Sequence, residues 1–354
     1  MNRCYPLFFL LSQMLRFFFL SIFLFSNLYL RAQTTDSINH NGLQRSFVYY
    51  TPASWSANQQ LPLLIVLHGL TQTGNGLMNI TGFNAIAEAN NFIVCYPDGI
   101  NNSWNANMNV SVSQANDLGF IEDLTSYFEN TYNTSPSQRY LCGFSTGGFM
   151  CHKLACESSL CFAAIASVSG NMSDTVYTNC ISPQQTSVLH IHGRADPVVS
   201  YFGSATTGVS VDSTINKWRV FLSCDSIPTF VNMPNTNLLD FSYPEKYVYN
   251  NCSGKSLELI KIIGGGHQWP GIPTLVGGLG NINMDFYSPQ IIWAFLNGKT
   301  CPQSTEISET NFNENKKIIR IIDLIGRDAE LKENIPLFII YADGTVKKTI
   351  KLAY

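Results

Sequence analysis

One serine of this chain has neighbours suited to nucleophilic catalysis. Ser145 directly follows the apolar run Arg139–Phe144 and lies between Gly143 and Gly147. A helical pattern follows around residues 150–155. This is G-x-S-x-G between a strand and a helix, where the serine occupies a sharp, strained turn. Glycines flank it because the packed chain leaves no room for a Cβ. The motif predicts that Ser145 is a nucleophile, the alternative being an ordinary glycine-rich turn with a capping serine.

A serine nucleophile needs a base, and six histidines compete for that role. His267 follows three glycines after the last long predicted strand, and such a loop can bring an imidazole over the sheet edge. His40 and His152 are expected to be structural or exposed. His190 and His192 alternate on a predicted strand, one of them facing into packing. Such a pair can bind a metal, but no third ligand lies nearby in the sequence. His267 is therefore the predicted base, with no metal.

The base needs a carboxylate to orient it. Asp196 follows the predicted strand Ser187–Ile191, whereas Asp98 and Asp117 precede the serine. The order serine, aspartate, histidine is that of the α/β-hydrolase triad, so Asp196 is the predicted acid.

Two backbone N–H groups should stabilise the oxyanion of the intermediate. One is that of Thr146, directly after the nucleophile. The other comes from the loop His68-Gly69-Leu70, where Leu70 is favoured and Thr71 is the second choice.

The predicted elements bring these residues to one edge of a sheet. Leu61–Leu67 is a continuous apolar run typical of a strand buried on both faces of a parallel sheet, and Phe92–Tyr96 and Arg139–Phe144 are also predicted as buried strands. Further predicted strands are Phe162–Val168, Ser187–Ile191, Tyr247–Tyr249 and Leu257–Ile263. Helical patterns alternate with them, one being Asp117–Tyr132 with Asp117 as its N-cap. This alternation predicts the α/β class, a mostly parallel doubly wound sheet, with ligands bound at the carboxyl ends of the strands.

Composition and segment patterns bound the domain organisation. The 354 residues carry a net charge of −3 and only 13% charged residues, which argues against nucleic-acid binding. Residues 1–32 read as a signal peptide cleaved near Ala32, with a retained membrane anchor as the alternative. Residues 33–301 form the predicted catalytic domain, 302–317 a polar linker and 318–354 a small β module with no expected chemistry. The mature protein is expected to have no membrane contact.

An exported chain meets oxidising conditions, so some of its 10 cysteines are expected to pair. Cys224 and Cys252 bracket a loop-rich insertion and are the first predicted pair. Cys95 and Cys142 lie on predicted core strands and are expected to be buried thiols.

Five segments carry a family resemblance: LHGLTQTGN, YPDGINNSWN, CGFSTGG, HIHGRADPVV and GGGHQWPG. In this order they resemble the secreted polyhydroxybutyrate depolymerase-like and feruloyl esterase group, carbohydrate esterase family 1, roughly from Asp36 to Cys301. The resemblance implies an α/β-hydrolase fold, the same triad and the Leu70 loop as oxyanion site. Many relatives have cysteine in place of Leu70, a change that a backbone donor survives.

The same resemblance extends to residues outside the triad. Trp104 and Trp269 match aromatic positions of the family, which implies that they line an acyl or sugar pocket, with core packing as the alternative. Cys224 and Cys252 fall where relatives carry a cysteine pair. The C-terminal segments IIRIIDLIGR and YADGTVKKTIKL resemble a type IX secretion sorting domain, which implies contact with secretion machinery. A β accessory or carbohydrate-binding module is the alternative.

The expected function is that of a secreted serine carboxylic-ester hydrolase without cofactor, extracellular or at the cell surface. The resemblance implies feruloyl or acetyl esters of plant xylan as substrates and an acyl-enzyme mechanism. Hydroxybutyrate polyester is the alternative substrate. A serine peptidase of the same fold and a catalytically silent glycan-binding surface protein are the other readings.

Overall fold

The structure is a computed structural model that describes residues 33–109, 113–180, 186–273, 278–302, 318–323, 326–330, 336–342 and 346–350. The expected signal peptide and residues 303–317 of the expected linker lie outside these residues. The chain divides into two compact units with the boundary between Pro302 and Gln303.

The first unit contains one large sheet, to which the described residues contribute ten strands. In chain order these are β1 Thr34–His40, β2 Leu43–Tyr50, β3 Leu61–Leu67, β4 Ile93–Pro97, β5 Thr134–Phe144, β6 Ala164–Val168, β7 Ser187–Gly193, β8 Thr229–Asn232, β9 Tyr243–Tyr249 and β10 Leu257–Ile263. Their order across the sheet is β1-β2-β4-β3-β5-β6-β7-β10-β9-β8.

The centre of this sheet is parallel and its margins are antiparallel. Strands β4, β3, β5, β6, β7 and β10 run in one direction, while β1 and β2 on one side and β9 and β8 on the other are antiparallel. All five residues of β4 and all five of β6 are buried, because these parallel strands are covered on both faces of the sheet. The predicted mostly parallel α/β sheet is confirmed.

Helices cover both faces of the sheet. Those of the first unit, within the described residues, are α1 Gly74–Thr81, α2 Phe83–Asn90, α3 Asp117–Tyr132, α4 Thr146–Glu157, α5 Asp174–Asn179, α6 Val211–Phe221 and α7 Ser288–Leu296. Side chains of α3, α4, α5 and α6 share one apolar core, and those of α1, α2 and α7 share the other. The nucleophile strand β5 lies between these two cores, in the middle of the sheet.

Two local features differ from the sequence expectation. The N-cap of α3 is Asn116, whose side chain accepts a hydrogen bond from the Gly119 N–H. Asp117 is instead the first residue of the helix, and its carboxylate pairs with Arg45 at 2.6 Å between Oδ1 and Nη2. His190 and His192 are both buried, rather than only one of them, because residues two apart on a strand share a face.

The cysteines pair within the first unit. Cys224 and Cys252 form a disulfide and Cys95 and Cys142 are free and buried, both as expected. The described residues contain two further disulfides. Cys156–Cys180 joins the last turn of α4 to the residue after α5, and Cys161–Cys301 joins the segment after α4 to the end of the unit.

The second unit contains, within its described residues, a three-stranded antiparallel sheet. Its strands are β11 Ile318–Ile322, β12 Pro336–Tyr341 and β13 Val346–Ile350. The expected turn at Asp343-Gly344 lies outside the described residues. Among the described residues of the whole chain, no helix has the length and apolar character needed to cross a membrane.

Candidate active site

Ser145 stands at a strained turn between β5 and α4. Its backbone has φ 53° and ψ −121°, a conformation that costs on the order of 1–3 kcal/mol for a residue with a side chain. Its N–H donates to the Val168 carbonyl of the neighbouring β6 at 2.9 Å, which fixes the turn to the sheet. The side chain is therefore presented where β5 ends, as the G-x-S-x-G pattern predicts.

Two glycines pack closely against this turn. A Cβ on Gly147 would collide with the Leu67 and His68 carbonyl groups of the adjacent strand end. A Cβ on Gly69 would lie 3.3 Å from the Cβ of Ser145. The loop after β3 is thus packed directly against the nucleophile turn, and at position 147 only glycine allows that approach.

Asp196 and His267 form a buried hydrogen-bonded pair at the same sheet edge. Oδ2 of Asp196 lies 2.7 Å from Nδ1 of His267, and the two side chains are 0% and 5% exposed. The other carboxylate oxygen, Oδ1, accepts hydrogen bonds from the N–H groups of Val198 and Val199, both at 2.8 Å. A carboxylate can only accept, so His267 carries its proton on Nδ1 when neutral and leaves Nε2 free to accept one.

Phe144 joins this pair to the nucleophile turn. Its ring lies 4.9 Å from the His267 ring, centroid to centroid, and it directly precedes Ser145. The backbone N–H of His267 donates to the Leu279 carbonyl at 2.6 Å, which fixes the glycine loop. The three predicted triad residues therefore follow β5, β7 and β10 along a single edge, where β6 separates β5 from β7. Their catalytic roles stay predictions.

The two predicted oxyanion donors flank the same turn. Thr146 is the first residue of α4, where a helix has no internal partner for its N–H groups. Leu70 follows Gly69, whose N–H and carbonyl are both held by Gln72. The second choice, Thr71, donates its N–H to the Asn102 carbonyl at 2.9 Å, which favours Leu70 as the donor.

His68 holds the loop that carries Leu70. Its Nε2 accepts a hydrogen bond from the Gly99 N–H at 2.9 Å, so Nδ1 carries the proton and donates to the Gly69 carbonyl at 2.7 Å. Burial lowers the pKa of this imidazole, which keeps it neutral. A neutral His68 thus ties the oxyanion loop to the segment after β4.

The two tryptophans expected at the pocket are both 1% exposed. Trp104 donates from Nε1 to the His68 carbonyl at 2.8 Å and so holds the oxyanion loop. Trp269 stacks on Phe144 with ring centroids 5.7 Å apart. Trp104 thus contacts the oxyanion loop and Trp269 contacts the residue before Ser145, and the contact of either ring with substrate stays a prediction.

The alternative carboxylates are engaged away from His267. Asp98 accepts hydrogen bonds from the Gly74 N–H and the Ser46 hydroxyl, both at 2.8 Å. Asp117 accepts from Arg45 and from the Asn105 N–H. Both hold the segment after β4, so Asp196 is the carboxylate that geometry brings to the base.

The sequence reasoning missed one neighbour of the triad. His192 Nε2 lies 3.5 Å from Oδ2 of Asp196, the same oxygen that binds His267. A signal was present in the sequence, because His192 lies at the end of β7 and only four residues before Asp196. In the described part of the chain, no three His, Cys, Asp or Glu side chains are grouped as a metal site.

Comparison with known proteins gives similar sequences among enzymes that cleave esters. The chain is 25% identical over 237 residues to the bifunctional acetylxylan esterase/xylanase XynS20E of Neocallimastix patriciarum, covering 66% of this chain and 32% of that protein. It is 28% identical over 183 residues to feruloyl esterase C of Emericella nidulans, covering 49% and 62%. A poly(3-hydroxybutyrate) depolymerase of Ralstonia pickettii is 30% identical over 143 residues, covering 37% and 29%. The chain thus spans less than two thirds of each of these three relatives.

A solved structure has the same fold. The acetyl xylan esterase from Aspergillus awamori superposes with a TM-score of 0.52 at 17% identity, covering 66% of this chain and 94% of that one. This likeness supports the α/β-hydrolase arrangement of the sheet and helices.

A family model decides the membership. The Esterase model, described as "Putative esterase", matches residues 39–218, which include the oxyanion loop, the nucleophile turn and Asp196. The match covers about half of the chain, and its boundaries contain the strained turn and the buried carboxylate described above. The chain belongs to the Esterase family, and by that membership to the carboxylic ester hydrolases.

Proposed function

We propose that the protein is a serine esterase that cleaves feruloyl or acetyl esters of plant polysaccharide such as xylan. The observation that carries the proposal is the buried pair of Asp196 and His267, 2.7 Å apart, beside a serine at φ 53°. A strained serine and an oriented imidazole at one sheet edge are what acyl transfer requires. The acetylxylan and feruloyl esterases similar in sequence supply the substrate class.

The mechanism follows from the hydrogen bonds. Ser145 Oγ attacks the ester carbonyl carbon while Nε2 of His267 takes the hydroxyl proton. The negative charge that develops on the carbonyl oxygen is stabilised by the N–H groups of Thr146 and Leu70. The C–O bond then breaks and the alcohol leaves with the proton from His267. Water, deprotonated by the same imidazole, attacks the acyl-enzyme and releases the acid and Ser145.

Asp196 stabilises this cycle without exchanging a proton. Its Oδ2 accepts from Nδ1 of His267, which keeps the ring in the tautomer whose Nε2 can take the serine proton. When the ring becomes an imidazolium, the buried carboxylate offsets its charge. The two backbone N–H groups on Oδ1 hold the carboxylate in that orientation.

Apolar side chains beside the reacting groups favour an apolar acyl group. Leu70, in the oxyanion loop, and Val198, two residues after Asp196, are 42% and 48% exposed. A feruloyl ring or an alkyl chain would remove this apolar surface from water, which stabilises binding. A small acetyl group would cover less of it.

The alternative substrate is a hydroxyalkanoate polyester. The 30% identical segment shared with the Ralstonia pickettii depolymerase favours it. The reaction at the ester bond would be the same, so the polysaccharide ester and the polyester differ only in their acyl and alcohol groups.

The experiment is a hydrolysis panel on the mature protein: methyl ferulate, acetylated xylan, a hydroxybutyrate oligomer, an aryl acetate and a matching amide. We expect the ferulate or acetylxylan ester to give the highest kcat/KM. Preference for the oligomer would move the assignment to the polyester, and equal amide cleavage would indicate a peptidase. Binding to xylan with every ester intact would indicate a glycan-binding protein.

A nucleophile test accompanies the panel. Ser145→Ala should lower kcat by on the order of 10⁶ and abolish covalent labelling by a fluorophosphonate, since labelling needs the serine oxygen. Activity or labelling retained in that variant would remove the nucleophile assignment. Ser169→Ala, a change at a buried serine that follows β6, serves as the matched control and should label normally.

Export to the cell surface or medium is part of the proposal. Three disulfides within residues 33–302 support an oxidising compartment. The expected signal peptide and the resemblance of residues 318–354 to a type IX sorting domain support the same destination. Deleting residues 318–354 should leave esterase activity inside the cells and remove it from the medium.

A further inference from the structure

Three buried imidazoles outside the triad lie behind Asp196. His190 and His192 lie on β7 and are 0% and 1% exposed. Their rings are nearly parallel, at 4° with centroids 5.4 Å apart. His152 of α4 stacks on His190 with centroids 5.6 Å apart. None of the three takes part in the mechanism above, and a buried polar ring costs stability unless its nitrogens are hydrogen-bonded.

The tautomers of the β7 pair follow from their partners. Nε2 of His192 lies 2.8 Å from the Val199 carbonyl, which can only accept, so this nitrogen carries the proton. Nδ1 of His192 then has a lone pair and accepts from Nε2 of His190 at 3.2 Å. Burial lowers the pKa of both rings, that of His192 to about 4, so both stay neutral. The hydrogen bonds therefore run in one direction, from His190 through His192 to Val199.

Val199 connects this series of hydrogen bonds to the carboxylate of Asp196. Its carbonyl is held by His192, and its own N–H donates to Oδ1 of Asp196 at 2.8 Å. Nε2 of His192 also lies 3.5 Å from Oδ2 of Asp196, the oxygen that binds His267. The loop that carries Asp196 is thus closed onto the end of β7 through one imidazole.

We propose that His192 is a positioning residue for the triad, which holds Val199 and the Asp196 carboxylate so that Oδ2 faces His267. The proposal rests on the proposed function, because positioning matters only if the triad acts. His190 supports His192 by donating to its second nitrogen. A loosened Asp196 would misalign His267 in the transition state and leave the binding of the ester unaffected.

Two substitutions at His192 separate positioning from packing. His192→Phe keeps the ring and removes both nitrogens, and we expect kcat to fall on the order of 10- to 100-fold with KM within about twofold. His192→Gln places an amide N–H near the position of Nε2, and we expect it to recover most of that loss. Ile191→Ala is the matched control, because Ile191 is equally buried on β7 but packs in the core on the other face. It should reduce stability and leave kcat unchanged.

A second readout does not depend on turnover. The N–H groups of Val198 and Val199 are held by Asp196, so their hydrogen exchange reports the order of the loop. We expect faster exchange in His192→Phe, near-normal exchange in His192→Gln and no change in Ile191→Ala. If the wild type cleaved no ester, the proposed function would be wrong. The exchange rates would still show whether His192 holds the Asp196 loop.

Two results would overturn the proposal. One is a folded His192→Phe protein whose kcat and loop exchange equal those of the wild type. The other is a kcat that falls equally in His192→Phe, His192→Gln and Ile191→Ala, because that pattern would indicate general loss of packing.

Discussion

Replacing Asp196 with asparagine would reverse the hydrogen-bond direction at His267. Oδ1 of Asp196 accepts from two backbone N–H groups, of Val198 and Val199, at 2.8 Å each. Oδ2 lies 2.7 Å from Nδ1 of His267. An asparagine has only one carbonyl oxygen, and it must face the two backbone donors. Its NH2 group is then directed at His267.

The opposite orientation of the amide is unfavourable. It would turn an NH2 towards the N–H groups of Val198 and Val199, and an unsatisfied buried donor such as the Val199 N–H costs about 1–3 kcal/mol. In the favoured orientation the NH2 donates to Nδ1, and the proton of His267 must move to Nε2. That nitrogen can no longer accept the Ser145 proton. We expect kcat to fall about 10⁴-fold, or about 5 kcal/mol, the loss known for this change in another serine triad.

The assay is steady-state hydrolysis of an aryl acetate, normalised to folded protein by circular dichroism. Asp98→Asn is the matched control, because Asp98 also accepts two hydrogen bonds but contacts neither Ser145 nor His267. We expect its kcat to stay within a few-fold of the wild type. An Asp196→Asn protein that is folded and within tenfold of wild-type kcat would refute the tautomer reasoning. An equal loss in Asp98→Asn would show that the effect is not specific to the triad.

Two further predictions concern stability. Burial lowers the pKa of His152 from 6.5 to about 3, so the unfolded chain binds a proton there that the folded chain does not. Stability should fall as pH drops below 6.5, and His152→Gln should make the slope of urea-unfolding free energy shallower by up to about 1.4 kcal/mol per pH unit. Identical slopes in both proteins would contradict this. Arg45→Met leaves the 0% exposed Asp117 side chain charged and unpaired, which should cost about 3–5 kcal/mol in urea unfolding. Adding Asp117→Asn should recover part of the loss, and a single variant as stable as the wild type would show that the pair contributes little.

The parallel core of the sheet could be predicted from the sequence because its strands are covered on both faces. The runs Leu61–Leu67 and Leu257–Ile263 have the same bounds as β3 and β10. Leu61–Leu67 is a continuous apolar segment, and Leu257–Ile263 has apolar residues at five of its seven positions. Each is followed by a histidine or glycine that marks the boundary. The positions of Ser145, Asp196 and His267 after strands could be predicted for the same reason.

The edge strands could not be predicted in this way. All four residues of β8 are exposed, and β1, with the sequence TTDSINH, is polar along most of its length. Their backbone hydrogen bonds to β9 and β2 form the strands. Because such bonds involve no side chain, a pattern of apolar residues does not report them.

The two additional disulfides could not be predicted from the sequence either. Cys161 and Cys301 are 140 residues apart in sequence, and Cys156 and Cys180 are 24 apart. Pairing depends on Cα atoms approaching within about 7 Å, which the fold determines and spacing does not. Cys224 and Cys252 were predictable because one loop-rich insertion separates them.

His192 illustrates why the interior of a site is harder to read from sequence than its catalytic groups. A histidine beside Asp196 can support the proposed triad only while it is neutral, because an imidazolium there would compete with His267 for the charge of Asp196. Burial on β7 keeps it neutral, since removal from water lowers the pKa of His192 to about 4. The Val199 carbonyl then determines which nitrogen carries the remaining proton. Charge state and tautomer both come from the surroundings of the ring in the fold, so the sequence alone could place a histidine near Asp196 without showing what it does there.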